Sequence, residues 1–335
     1  MQILQAINFT RARIALCCGV VLAGCAISAQ AAQNWQPTRP VAFIVGSAPS
    51  GSIDLTARVL QRVWDDRSVV KVPVIVVNKP GAGNGVAWSY LNERSADGQS
   101  IAIATTNLVS NPVMGAHNIG HRDVTPIALL FDDYFILLVR ADSPIKTMAD
   151  VRQRLIKDPA ALAIGFGPGL GAGGHTAAAV TVKALGVDVA KGRWVPYRSA
   201  VDAIAAMLGG EIDIVSGTAA NAPPFLSAGR VRAIGIIAPQ RLRGSLATVP
   251  TIKEQGVDAE FTNWRGVLGP KGMRPEHIAY WEKALQAATA SEQWQKDLER
   301  NFWKSNFMTG AKLNKFLDQE AETFRGIWAA IGTKP

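Results

Sequence analysis

Beyond residue 25 the chain has no cysteine; its three, Cys17, Cys18 and Cys25, sit near the start. A body without thiols has no disulfide, no thiolate nucleophile and no thiolate metal site. It suits an oxidising compartment, where stray thiols would mispair. Histidine is nearly as scarce, with His117, His121, His175 and His277 making up the four. His117 and His121 have the spacing of a metal pair on a helix. Gly115, Asn118 and Gly120 surround them, so a surface loop is expected and no metal site. The chain has no Gly-x-Ser-x-Gly elbow, no Walker loop and no His-Glu-x-x-His, which removes the commonest hydrolase, nucleotide and zinc-protease chemistries. No catalytic residues, no cofactor and no enzymatic activity are expected. No run of Lys and Arg and no basic-aromatic stripe accompanies the formal charge of +9, so no nucleic acid is expected as a partner. After residue 33 no apolar run approaches the roughly 20 residues that a membrane helix needs.

Within the first 32 residues the pattern differs. Arg11 and Arg13 precede an apolar stretch over 14–27, and Ser28-Ala29-Gln30-Ala31-Ala32 follows. A basic segment, a short apolar run and a small-x-small site form a secretory leader, residues 1–31, cut after Ala31. An alternative lies inside it, because Leu22-Ala23-Gly24-Cys25 resembles a lipobox in which Cys25 becomes the lipidated first residue. Removing the leader leaves 33 basic and 26 acidic residues, a net charge of about +7. A length of 335 residues, with 48% hydrophobic and 18% charged, fits an ordered protein of two domains.

The body alternates strands and helices. Continuous apolar runs predict strands at 40–45, 72–77 and 101–104, with helices starting at Asp54 and over 86–93. Beyond residue 126 strands are predicted at 136–139, 162–166, around Val195, at 212–215 and at 231–237. Helices are predicted at 148–156, 176–185 and 200–208. A mixed segment at 263–270 precedes helices near 275–291, 291–302 and 310–331. Repeated strand-helix units imply α/β architecture, with open, mostly parallel sheets covered by helices on both faces. In such sheets ligands sit beyond the carboxyl ends of the strands.

Two loops share one design. Ser47, Ala48, Pro49, Ser50, Gly51 and Ser52 lie between a strand and a helix; so do Gly169, Leu170, Gly171, Ala172, Gly173, Gly174, His175 and Thr176. Small residues admit a ligand to the backbone, and a helix start offers unpaired N–H groups at the positive end of a dipole. Each loop is an anion site, and two from separate units would hold one carboxylate between two domains. Asn84, Thr105, Asn107, Tyr197 and Thr218, which follow further strands, complete the candidate ligand-binding set. Gly169-x-Gly171-x-x-Gly174 also fits a dinucleotide pattern. The required acid is missing from the end of the next strand, near Val195, and Asp188 sits at a helix end instead.

These motifs resemble a known family. The run 40–45, its loop and Asp54, Asn78-Lys79-Pro80-Gly81-Ala82-Gly83-Asn84, Asp97-Gly98 and Val195-Pro196-Tyr197-Arg198 come first. Leu208-Gly209-Gly210-Glu211-Ile212-Asp213, Ala228-Gly229-Arg230-Val231-Arg232-Ala233 and Val249-Pro250-Thr251 follow in order, over about 36 to 332. The body is similar to the Bug family, the substrate-binding receptors of tripartite tricarboxylate transporters. The resemblance implies a two-lobed, type II-like Venus-flytrap fold, with 33–137 plus 262–335 as lobe 1 and 138–261 as lobe 2. It implies a monomeric periplasmic protein that captures a di- or tricarboxylate or an aromatic carboxylate, largely through backbone N–H groups and water. Its partners would be that ligand and the membrane components of such a transporter, or a sensor. Three departures bear on the ligand. The first loop lacks the family's aromatic, the second has glycine and alanine where serine is usual, and Ser216-Gly217 lies where many relatives carry Phe-Asp. The last argues against a ligand with a charged ammonium.

Overall fold

The computed structural model describes residues 35–94 and 96–331. The candidate leader, with its alternatives at Ala31 and Cys25, lies outside the described residues. β1 (Val41–Val45), β2 (Val74–Asn78) and β3 (Ser100–Thr105) form at the first three apolar runs, with β1 in the middle and parallel to both neighbours. α1 (Ser52–Asp66) and α2 (Gly85–Asn92) connect them. α1 buries Ile53, Ala57, Leu60 and Trp64, a spacing of three and four that keeps one stripe against the sheet. α3 (Asn107–Met114) and β4 (Thr125–Asp133) have no counterpart in the sequence reading. α3 buries Asn107, Ser110 and Asn111 beside Leu108 and Val109 and contains Pro112, so no clean apolar period marks it.

A single residue, Tyr134, separates β4 from β5 (Phe135–Arg140), which belongs to a second sheet. That sheet adds β6 (Ala163–Phe166), β7 (Arg193–Pro196), β8 (Ile214–Thr218) and β9 (Val231–Ile237), in the order β7-β6-β8-β5-β9. Its helices are α4 (Met148–Lys157), α5 (Gly173–Ala184), α6 (Ala200–Leu208) and the short α7 (Pro223–Ser227). The chain returns through β10 (Asn263–Gly269), α8 (Pro275–Thr289), α9 (Glu292–Arg300), β11 (Lys304–Thr309) and α10 (Gly310–Ile331). The first sheet then reads β11-β4-β10-β3-β1-β2. Residues 135–137, assigned to lobe 1 from the sequence, pair in the second sheet.

The sheets are mixed rather than mostly parallel. β10 runs antiparallel to β3 and β4, β11 to β4, and β5 to β8 and β9. The cause is the way the chain changes sheets. A strand arriving from the other sheet without a crossover helix enters at the end where its new neighbours leave. Phe135 accordingly pairs with Thr218, the last residue of β8, and Arg265 with Thr105, the last of β3. Both crossing strands therefore begin at the carboxyl ends of their neighbours.

α10 lies on α3 and β4 and reaches α5 of the other sheet, with Trp328 packed 5.0 Å from the His175 ring. In the first sheet's core, Trp64 sits 5.7 Å from both Phe43 and Trp281 and donates from Nε1 to the Ala284 carbonyl at 3.1 Å. Trp64→Ala is expected to cost about 3–5 kcal/mol of unfolding free energy. A loss below about 1 kcal/mol in urea unfolding would show that α1 and α8 are not held by this contact.

Candidate ligand-binding cleft

The carboxyl ends of the two sheets face one cleft. β1 leads through a turn to α1, whose N-cap, Gly51, is extended and supplies no capping side chain. Asp54, in the first turn, is buried and fully occupied by its own loop. It accepts from the Ser50 N–H at 3.0 Å, Arg58 Nε at 2.8 Å and Asn78 Nδ2 at 2.9 Å. Burial pushes its carboxyl up. The hydrogen bonds from Arg58, Asn78 and Ser50, with the Arg58 charge, outweigh this and hold it below the usual carboxylate range. Its carboxylate thus does not cap the N–H groups at the start of α1, and Ser47, Gly51, Ser52 and Ile53 line the cleft wall. Ala48, Pro49 and Ser50 lie away from it, the last two exposed.

The second loop divides into two parts. Gly173 and Gly174, the first residues of α5, line the cleft, and the helix has no side-chain cap. Gly173 has no room for a side chain, since a Cβ there would lie 2.8 Å from Phe135 Cζ and 3.0 Å from Asn263 Oδ1. Gly169, Leu170, Gly171 and Ala172 do not line the cleft, and Gly171 ties the lobes. Ser110 Oγ, on α3 of the first sheet, donates to the Gly171 carbonyl at 2.8 Å. Gly171 has φ +73°, and a Cβ would meet Met114 Cγ at 2.7 Å, so the close approach of two lobes requires glycine here.

His175 and Thr176 are also structural in placement. Thr176 Oγ1 donates to the Gly171 and Ala172 carbonyls at 3.2 and 3.1 Å. His175 accepts the Gly171 N–H on Nδ1 at 2.9 Å, which leaves the proton on Nε2. Its ring stacks on Phe166 at 4.6 Å and lies 5.0 Å from Trp194. Among the other candidates, Thr105, Asn107 and Thr218 line the cleft. Asn84 stands behind them, its Nδ2 donating to Thr105 Oγ1 at 2.9 Å. Tyr197 lies off the cleft, at the edge of the second sheet's core, and the residues after it, Arg198, Ser199 and Ala200, take its place.

Sequence reasoning missed the residues that the crossing strands bring. Phe135 from β5 and Asn263 and Arg265 from β10 all line the cleft, as does Ser216 from β8. Arg265 had a signal: a lone charge inside the apolar run Trp264 to Leu268 must meet a partner or a ligand.

The lining side chains carry formal charge of one sign. α1, α5 and α6 start at the cleft, which places three positive dipole ends there. Arg198 and Arg265 add formal positive charge, and no Asp or Glu is among the lining residues. Among the described residues no group of three His, Cys, Asp or Glu side chains gathers to hold a metal ion. The arrangement can hold an anion by hydrogen bonds.

Two α/β sheets joined by paired crossings, with an anion-directed cleft at their carboxyl ends, define a two-lobed solute-binding protein of the periplasmic-binding-protein class. The chain belongs to the receptor family of the tripartite tricarboxylate transporters, TctC, whose profile matches residues 57–333. It is 28% identical over 317 residues to the UPF0065 protein in the gbd 5' region of Cupriavidus necator, covering 92% of each chain. Its fold is that of the periplasmic binding protein BugD, with a TM-score of 0.81 at 24% identity over 89% of this chain and 99% of that one. Rpa4515 of R. palustris, solved with adipate, matches with a TM-score of 0.82 at 22% identity over 90% and 100%.

His175 generates a prediction about pH. Burial pushes its imidazole down to about 4, from an ordinary 6.5. Between those values the unfolded chain binds the extra proton, so stability falls as pH falls through that window. Asp133 opposes it. Burial raises its carboxyl from 3.8 to about 6 against the lowering pull of Arg265, so the native state holds the extra proton and stability falls as pH rises there. His175→Gln removes the first contribution only. Between pH 7 and pH 4 its unfolding free energy, relative to the unaltered protein, is expected to improve by up to about 3 kcal/mol. Urea unfolding at both pH values checks this, and a pH-independent difference would mean the native ring ionises freely.

Proposed function

We propose that this chain is an extracytoplasmic receptor that traps a small carboxylate between two lobes and presents the closed form to a membrane transporter or sensor. The observation that carries this reading is the one-signed cleft: three helix starts and two arginines line it, with no acidic side chain. The two sheets are read as the cores of the lobes, 33–134 with 262–335 and 135–261, so that ligand closes one on the other about the crossings. The adipate in Rpa4515 supports a carboxylate with two acidic ends, and Arg198 and Arg265 come from opposite sheets to meet them. The protein acts as a monomer in the periplasm once the leader 1–31 is removed. It is read as a receptor that works without turnover, as membership of a receptor family supports.

A thermal-shift panel tests this reading. Adipate, a tricarboxylate such as citrate, and benzoate represent the carboxylates. Adipamide and putrescine represent neutral and cationic solutes of similar length. At least one carboxylate is expected to raise the melting temperature, with stabilisation of about 2.7 kcal/mol at a hundred times its Kd. Stabilisation by adipamide or putrescine alone would falsify the anion reading.

A further inference from the structure

The receptor reading places the ligand at backbone N–H groups of helix starts. One side chain in the cleft goes beyond that scheme. Arg265 is 3% exposed, lies at the start of the crossing strand β10 and lines the cleft opposite the start of α5. A guanidinium has five N–H donors in a rigid fork. The partners of this one are few and distant. Nη1 donates to the Trp264 carbonyl at 3.1 Å and Nη2 to Ser52 Oγ at 3.3 Å, while Nε has no partner among the described residues. Asp133 Oδ2 lies 3.5 Å from Nη2, well outside the roughly 2.7–2.9 Å of a formed charge-assisted bond.

The position is also electrostatically unfavourable for a cation left to itself. Ser52 is the first residue of α1, so the guanidinium stands against the positive end of that helix. Asp133 compensates weakly. It is itself completely buried and spends a carboxylate oxygen on the Tyr134 N–H at 2.9 Å. Burial pushes the Arg265 guanidinium below its ordinary value and Asp133 up, each against the other's pull, as expected for a pair too far apart to satisfy itself. Two more buried side chains in the same cleft have unpartnered polar atoms. Asn107 Nδ2 comes from the first sheet's side and Ser216 Oγ from the second. Unpartnered donors from both sheets thus belong to the same cleft lining as Arg265.

We propose that Arg265 is the ionic anchor of the cleft, making a direct bond to one carboxylate of the ligand, and that Asp133 holds the guanidinium in place until that carboxylate arrives. The site then selects ligands by charge. This rests on the carboxylate-receptor reading and deepens it. The competing account is a structural ion pair that ties β10 to β4 and plays no part in recognition.

Calorimetry on the full chain separates the two, with adipate and its monoamide, adipamate, as probes. Circular dichroism establishes that each variant is folded. Arg265→Met is expected to weaken adipate by about tenfold to a thousandfold, the loss of one or two charge-assisted bonds. It also brings the adipate-to-adipamate affinity ratio towards one. Loss of a structural tie would instead weaken both probes equally and leave the ratio alone. Arg265→Lys, which keeps the charge without the fork, is expected to recover part of the ratio. Asp133→Asn keeps the shape, removes the competing charge and is expected to tighten adipate binding. The last two variants decide the matter if Arg265→Met does not fold. The anchor is overturned if folded Arg265→Met keeps the original ratio, or if Asp133→Asn weakens adipate. Unaltered protein that binds neither probe while responding to adipamide would remove the carboxylate reading itself, and the anchor with it.

Discussion

The site depends on how the chain changes sheets. Between Asp133 and Phe135 there is one residue and no helix, so β5 has to enter the second sheet where β8 ends. β10 also enters the first sheet beside the end of β3, after a longer connection over residues 238–262. An antiparallel strand in an otherwise parallel neighbourhood puts its first residues among its neighbours' last. One place further along each sheet, β1 and β6 end on the same side and lead into α1 and α5, whose first N–H groups are unpaired. Crossing, cleft and anion affinity thus follow from one topological constraint. The tight fit of Gly173 against Phe135 and Asn263 shows how closely one lobe's helix start seats on the strands that join the lobes.

The two halves of the cleft are built from different chemistry. The helix starts supply partial charges fixed by the backbone, which need no side-chain ordering. Their loops accordingly use small residues, and the carboxylate in the first turn of α1, Asp54, is turned away and tied to Ser50, Arg58 and Asn78. Arg265 supplies a full charge from within a sheet, where burial makes any unmet interaction costly. Combining the two allows a cleft without acidic lining to distinguish a carboxylate from a neutral isostere.

The glycine-rich loop illustrates how one motif serves two ends. Gly171 carries the contact between lobes, through Ser110 and Met114, while Gly173 and Gly174 present the helix start to the cleft. His175 and Thr176 brace the turn between them from inside. These hydrogen bonds join the part of the loop that touches the other lobe to the part that lines the cleft.

Local chemistry determined much of this from the sequence alone. Apolar runs and three-and-four spacings located most helices and strands, but not α3, α7, β4 or β11, and left β10 as a mixed segment. Small residues between a strand and a helix marked Ser47, Gly51, Ser52, Gly173 and Gly174 as cleft residues, and ordered motifs identified the family. These features are legible because each is settled by neighbours a few positions away. Tertiary structure alone decided what depends on distant pairing. It made the sheets mixed, drew Phe135, Asn263 and Arg265 into the cleft, and set Tyr197 and His175 behind it. It also hid α3, whose buried asparagines and serine have no apolar period because their partners lie across the cleft or beneath it. A residue's side chain is specified by its strand's period, but the surface it faces is specified by which strand comes to lie alongside. That is fixed by contacts more than 100 residues apart, such as Phe131 with Arg265.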